Sequence, residues 1–450
     1  MLAAYSGNLD LIRAFLNLRI PVNKEDHDGN TALDLAVMMN RKEATRFLIQ
    51  SGANIHHLDK NNFDAFKLAI IMGHLELAQL LMESGAEIDK PDKEGTTALM
   101  LAAADNQIET VTLLLQSGAG IDRADIGGRN ALLLAVAQGE IEMVKLLIQS
   151  GAKIEHADKA GITALIAAAA LNHTAIVKHL IKVGGDIDHA DKNGLTALLR
   201  AAQKGHTEIA QMLINSGANL DHIDKAGITA LIAAATDGHI EIVQALINAG
   251  ANLELTDQKG TTALIASALL GHTEIALSLI KAGANINATD KKGFNALLIG
   301  AGKGDIHLVE VLIKAGAKLE SEHKDGFTAL SVSASLGHTK VARLLIDAGA
   351  NIDYADKMAL TSLIIAAALG HIEIAQSLIK AGADIDHADK NGLTALIAAA
   401  QHGHLKMVQI LLDANARIEL TDRYNMSAIH YADKNNYTEI VELLLKHQLP

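Results

Sequence analysis

The sequence predicts an all-α solenoid, a stack of short helix pairs arranged along one axis. Three observations predict it. The stretch DKNGLTALIAAAQHGH at 389–404 returns in recognisable form every 33 residues. Its turn glycine, Gly392, recurs as Gly29, Gly95, Gly128, Gly161, Gly194, Gly227, Gly260, Gly293 and Gly326, with Asn62, Ala359 and Asn425 in the same slot. Apolar residues within each unit fall into two helical stripes separated by a glycine-rich turn. A unit this small cannot bury its apolar face alone, so each copy must stack on its neighbours. That periodicity overrides the two to four domains a 450-residue chain would otherwise suggest, and residues 1–450 read as one elongated domain.

Met1 falls in the middle of the first inner helix, because Leu2-Ala3-Ala4 aligns with Leu35-Ala36-Val37. Residues 1–25 are therefore expected to form a partial repeat, either a shortened cap or the remainder of a longer chain. Thirteen 33-residue repeats follow from about Asp26. In a representative copy, Gly161 supplies the positive φ of the turn. Thr163 is placed to cap an inner helix over Ala164–Leu171, whose alanines let helices approach closely. Asn172 and His173 make the helix–helix turn, and an outer helix runs from about Thr174 to Lys182. Its Ile176, Val177, Leu180 and Ile181 form the stripe that faces the stack. Gly184 closes it in the left-handed conformation, with equivalents from Gly52 to Gly382 and Asn415 as the substitute. Asp186 to Lys192 then leads out as a hairpin finger. Residues 422–450 read as the C-terminal cap, with Lys434, Asn435 and Asn436 polar and an outer helix ending at Lys446-His447 before Pro450.

Two regions depart from this pattern. One copy has Asp64, Phe66 and Lys67 where threonine, leucine and an apolar residue are usual. The other spans Gly293 to Ala359 and contains Gly300, Gly302, His323, Ser331 and Ser333. Two helix-interior glycines, a lost turn acceptor and lost apolar volume predict that this second region is the softest of the interior.

Composition excludes several classes. The chain has no Cys and no Trp, 3 Pro and a formal charge of −13. Without cysteine there is no disulfide framework and no thiolate metal site, which fits a reducing, cytoplasmic setting. The negative charge argues against nucleic-acid binding by phosphate neutralisation. No secretory signal and no membrane-length apolar run is present. The reading is a monomer without metal or cofactor.

Asp-x-x-Gly-x-Thr-Ala-Leu, then Ala-Ala, Gly-His, a Leu-Leu-Ile-like run and Ala-Gly-Ala-Asn-Ile together resemble the ankyrin repeat over essentially the whole chain. The resemblance implies an ankyrin-repeat solenoid, a curved right-stacked array that binds proteins in a concave groove. One departure matters: the family's Thr-Pro-Leu-His reads Thr-Ala-Leu-Ile here, and only His430 keeps the histidine. These repeats should therefore lean more on apolar packing.

Several residue rows could carry chemistry. His-x-Glu, as in His206-Thr207-Glu208, looks like half of a zinc-deaminase signature, but the cysteine half is absent. The glutamate suits the first turn of a helix and the histidine shapes the turn. His57, His156, His189, His222 and His387 share another slot. One helix diameter of about 10 Å between copies keeps them from converging on zinc. A turn aspartate appears in twelve of thirteen full repeats, with His323 the exception, and should accept turn N–H groups. Basic residues such as Lys60, Lys159, Lys192, Lys291, Lys324 and Lys390 follow it. An acidic row including Asp89, Asp122, Glu155, Asp188, Glu254 and Asp386 precedes it. The two rows are expected to neutralise one another, with an anionic partner as the alternative.

By the same resemblance, the residue after the turn glycine points into the groove. It is apolar in nine of thirteen full repeats, among them Ile162, Leu195, Ile228, Phe294, Phe327, Leu360 and Leu393. Leu171, Leu270, Leu336 and Leu369 on the inner helices face the same way. These eleven residues are the candidate partner-binding stripe, with finger-against-finger packing as the other reading. The functional expectation is a scaffold for protein partners, with no candidate nucleophile or base for catalysis. The alternative is the targeting portion of a larger protein, such as a bacterial effector exported into a host cell.

Overall fold

The computed structural model describes residues 1–321 and 323–448, so Leu449 and Pro450 of the expected cap lie outside the described residues. Among the described residues there are 28 helices and no strand, a pair of helices to each repeat. The chain divides into two compact units, Met1–Asn219 and Leu220 onward. Each is an all-α run of the same helix-turn-helix-finger unit.

One repeat of the first unit shows why these residues fold this way. Thr196 sits in extended conformation, and its hydroxyl accepts the Leu199 N–H at 3.3 Å, satisfying one orphan donor of the helix Ala197–Lys204. That helix buries Leu198, Leu199, Ala201 and Ala202. The helices are mostly 7 to 9 residues long, too short to persist alone, so burial between repeats must hold them. The outer helix Thr174–Lys182 buries Ile176, Val177 and Leu180 as expected. It closes with Gly184 at φ 88°, where the Gly185 N–H reaches the Leu180 carbonyl at 3.0 Å and the Gly184 N–H reaches Ile181 at 3.1 Å. The inner helix before it ends at Ala170, one residue earlier than expected. Thr163 also differs from expectation: it has the N-cap backbone, but its hydroxyl makes no cap bond and is buried without a partner. Nothing in the structure explains why it departs from its equivalents.

The irregular copies are better built than their sequences suggest. Asp64 replaces threonine as a cap, its carboxylate accepting the Lys67 N–H at 2.9 Å. Ser331 and Ser333 are buried but satisfied: Ser331 Oγ accepts from Thr328 N and donates to Thr328 O, while Ser333 donates to Leu330 O. His323 does not simply remove a turn acceptor, because its Nδ1 lies 3.3 Å from the Asp325 N–H. Gly300 is a close approach, since a methyl there would sit 3.2 Å from Val309 Cγ2 and 3.3 Å from Leu308 Cδ2. Gly302 has room, with Val332 Cγ1 at 3.4 Å. Gly302→Ala should therefore stabilise the protein by about 1 kcal/mol. Gly300→Ala should give no gain, because its helix-propensity benefit is offset by crowding. Thermal melts of the two variants check this, and equal gains would refute the packing role of Gly300. Of the weaknesses expected between Gly293 and Ala359, Gly302 stands, the serines still lack apolar volume, and Ala359 is held at φ 64°.

Candidate functional site

The fingers are built first around the turn aspartate. Asp158 Oδ1 accepts the N–H groups of Ala160 at 2.8 Å and Ile162 at 2.9 Å, which folds the turn over Gly161 at φ 85°. In five copies the second carboxylate oxygen finds a further partner, an asparagine amide at Asp26 and Asp389. Arg129 lies 2.7 Å from Asp125, Arg200 lies 3.0 Å from Asp191, and Tyr431 donates to Asp422 at 2.6 Å. Burial would push Asp422 up, but the Tyr431 hydroxyl and the N–H groups of Met426 and Tyr424 hold it below its ordinary value. The same hydrogen bond pushes the Tyr431 phenol up to about 12.

The two charged rows do not neutralise one another. Each acidic residue accepts a main-chain N–H from the next repeat: Asp89 from Gly120 at 3.0 Å, Asp122 from Lys153 at 3.0 Å, and Glu155 from Asp186 at 2.9 Å. In the second unit Glu254 accepts from Asn285 at 2.8 Å, and Asp386 from Arg417 at 2.9 Å. Where ion pairs form on this row they involve Arg123, Lys153 and Arg417, not the finger lysines. The physical reason is reach. The carboxylate spends its lone pairs on a backbone donor close by, while Lys159, Lys192 and Lys390 stay exposed and Lys60 Nζ donates to the His27 carbonyl. The lysine main chain stitches the fingers instead, as Lys159 N donates to Gly127 O at 2.9 Å and Lys192 N to Ala160 O at 2.8 Å.

Most members of both histidine rows are inter-repeat hydrogen-bond donors, although His173 Nε2 is buried without a hydrogen-bond partner. His57, His156, His189 and His387 donate Nε2–H to the carbonyl of the turn-slot residue in the preceding repeat, at 2.8 to 3.1 Å. The helix-turn histidines His74, His206, His272, His338 and His404 reach the C-terminal carbonyls of the preceding inner helix at 3.0 to 3.2 Å. Glu208 stands in the first turn of its helix as expected. His430 accepts the Ser427 N–H on Nδ1 at 3.1 Å, as Ser331 Oγ accepts the Thr328 N–H in its own copy. Asp34, in the same slot, does this job by accepting Thr31 N at 2.7 Å, and burial pushes its carboxyl up.

One group converges beyond the single histidine and carboxylate expected. Glu155, Asp186 and His189 bring their ligand atoms within 4.8 Å of one another. Two of those side chains already serve the stack: Glu155 accepts the Asp186 N–H, and His189 donates to Gly161 O. Those bonds repeat in other copies, so structural duty accounts for the convergence.

The apolar stripe separates into two kinds of residue. Leu171, just past the end of its inner helix, stands out in the first unit at 49% exposure, and Leu270, Leu336 and Leu369 on inner helices of the second stand out at 51%, 54% and 50%. The finger residues are more covered: Ile162, Ile228, Leu360 and Leu393 are half-buried, and Leu195 is buried. Phe294 and Phe327 are exposed. The sequence reading missed Leu269, exposed beside Leu270, although its place at the end of an inner helix was a usable signal.

No helix among the described residues is long and apolar enough to cross a membrane. No curated protein matches the chain. The family model for ankyrin repeats in three copies matches residues 1–92, 66–158, 132–224, 216–290, 278–356, 297–389 and 363–449, together nearly the whole length. Ankyrin repeats are in general protein–protein interaction modules and not catalysts. The chain belongs to the ankyrin-repeat family.

Proposed function

We propose that this protein is a non-catalytic scaffold that holds a polypeptide partner on the leucines ending its inner helices and on its exposed finger residues. The observation supporting this is the exposure of Leu270, Leu336 and Leu369 on helices whose other leucines and isoleucines are largely buried. A leucine left half in water adds little to the stack, and its return in register gives an apolar surface of the kind partners cover. The acidic row named above is engaged by main-chain N–H groups of the following repeats, which favours a structural duty for it over chemistry. We place the protein in the cytoplasm as a monomer that uses no nucleic acid, metal or cofactor.

The test uses glutamate in place of Leu270, Leu336 and Leu369 together, with Lys281→Glu on an outer helix as the control. Partners captured by the full-length protein from its source cell should be lost with the triple variant and kept with the control. Circular dichroism should be unchanged in both. Capture that survives the triple variant, or that is lost equally with the control, would overturn the proposal.

A further inference from the structure

Phenylalanine is scarce here, with 6 in the chain. Phe66 is spent in the core at 1% exposure, yet Phe294 and Phe327 stand on successive fingers at 37% and 38%. The His323 ring lies between them, its centroid 4.5 Å from that of Phe294 and 6.3 Å from that of Phe327. The same finger turns carry Lys291, Lys292 and Lys324, all exposed. Main-chain bonds from Lys291 N to Lys259 O at 2.8 Å and from Lys324 N to Lys292 O at 3.4 Å hold these tips side by side. None of the three ammonium groups pairs with a described carboxylate. Asp325, exposed on the same surface, leans on His323 Nδ1 at 3.3 Å.

We propose that these finger tips take an acidic segment of a partner protein, one with large apolar side chains between its carboxylates. The proposal rests on the binding reading above and adds the chemistry of the partner. On a chain of charge −13, three lysines that pair with no described carboxylate stand beside exposed rings. Carboxylates of the incoming segment would meet the lysines, and its apolar groups would cover Phe294 and Phe327. Such complementarity speeds encounter and sets register. Lysines with aromatic rings also suit a single-stranded nucleic acid. One feature favours the peptide: the net charge of −13 repels a long polyanion more strongly than a short acidic segment.

The experiment is selection of a random displayed-peptide library on the full-length protein, followed by affinity measurement on the enriched peptides. Enriched sequences should carry net negative charge and at least two large apolar residues. Lys291→Glu, Lys292→Glu and Lys324→Glu combined should weaken them by at least about tenfold. Phe294→Ser with Phe327→Ser should weaken them similarly, while circular dichroism stays unchanged. Enriched peptides without acidic bias, or acidic ones indifferent to both finger variants, would overturn the inference. Peptides lost only on glutamate substitution of Leu270, Leu336 and Leu369 would overturn it while leaving the proposed function standing. Peptides indifferent to every variant would count against both. A poly-dT oligonucleotide that binds more tightly than the peptides, and is lost on lysine reversal, would also overturn it.

Discussion

Gly128→Ala is expected to destabilise the protein by about 2 kcal/mol, through the turn of a single finger. Gly128 holds φ at 84°, where an L-residue is strained by on the order of 1 kcal/mol. The added methyl would lie 2.7 Å from Lys159 N and 3.1 Å from Asp158 Cα, all backbone, so no side-chain rotation relieves it. The two fingers must part, which weakens the bond from Lys159 N to Gly127 O and the one from His156 to Gly128 O. Chemical denaturation gives the magnitude, and hydrogen exchange should quicken around residues 127–165 first. Ala359 shows the other side of the argument. It keeps φ at 64° in the same slot, and its neighbour Met358 still accepts from Lys390 N at 3.0 Å. The backbone there has already made room for a methyl, so Ala359→Gly should recover only the strain, about 1 kcal/mol. A Gly128→Ala variant as stable as the parent would show that the fingers slide freely.

Lys67→Met should stabilise the protein by about 1 to 2 kcal/mol at neutral pH. Lys67 is 3% exposed in the inner helix Ala65–Ile71, in a slot that other copies fill with Met100, Leu133 or Ile166. Burial pushes its ammonium pKa down, and the opposing fields of Asp92 and Asp64 do not restore it. The charged form is thus disfavoured on folding. Its cost is full below the folded pKa and fades as pH rises toward the ordinary lysine value of 10.5. The gain on substitution should therefore be largest at neutral pH and shrink in strongly alkaline buffer. The helix cap survives, because Asp64 receives a main-chain N–H, and Asp64 keeps Lys90 at 3.8 Å. Thermal melts at neutral and alkaline pH decide it. A destabilised variant would mean that the fields of Asp64 and Asp92 outweigh burial.

The backbone plan was legible in the sequence because nearly every positive-φ position carries Gly or Asn, as at Gly161, Gly184 and Asn172, with Ala359 and Arg19 as exceptions. The destinations of the charges were not, since spacing shows where a carboxylate sits but not whether a side chain or a backbone group answers it. A signal existed. Asn23 and Asn287 stand in the acidic row and accept Asn54 N and Lys318 N at 2.8 and 2.9 Å. A neutral acceptor tolerated there points to hydrogen bonding, not to charge. Within the candidate stripe, period alone could not separate buried Leu195 from exposed Phe294. That depends on how far a neighbouring finger covers each one. Gly300 was opaque for a similar reason: a helix-interior glycine looks like a weakness until Val309 and Leu308 are seen against it.

The carboxylate that joins one repeat to the next has a consequence for how such a chain is inherited. Its partner is a main-chain N–H, which every residue but proline possesses. Gly120, Lys153, Asp186, Asn285 and Arg417 all donate it equally well. No compensating side chain is needed on the far side of the junction, so two repeats need not have evolved together to fit. Whole copies can be duplicated, deleted or exchanged by recombination, and each new junction finds its donor already in place. The near-identical fingers at 190–195 and 388–393 are what such copying leaves behind. An insertion of one residue has no such licence, because it moves the acceptor out of reach of a donor fixed 31 positions away.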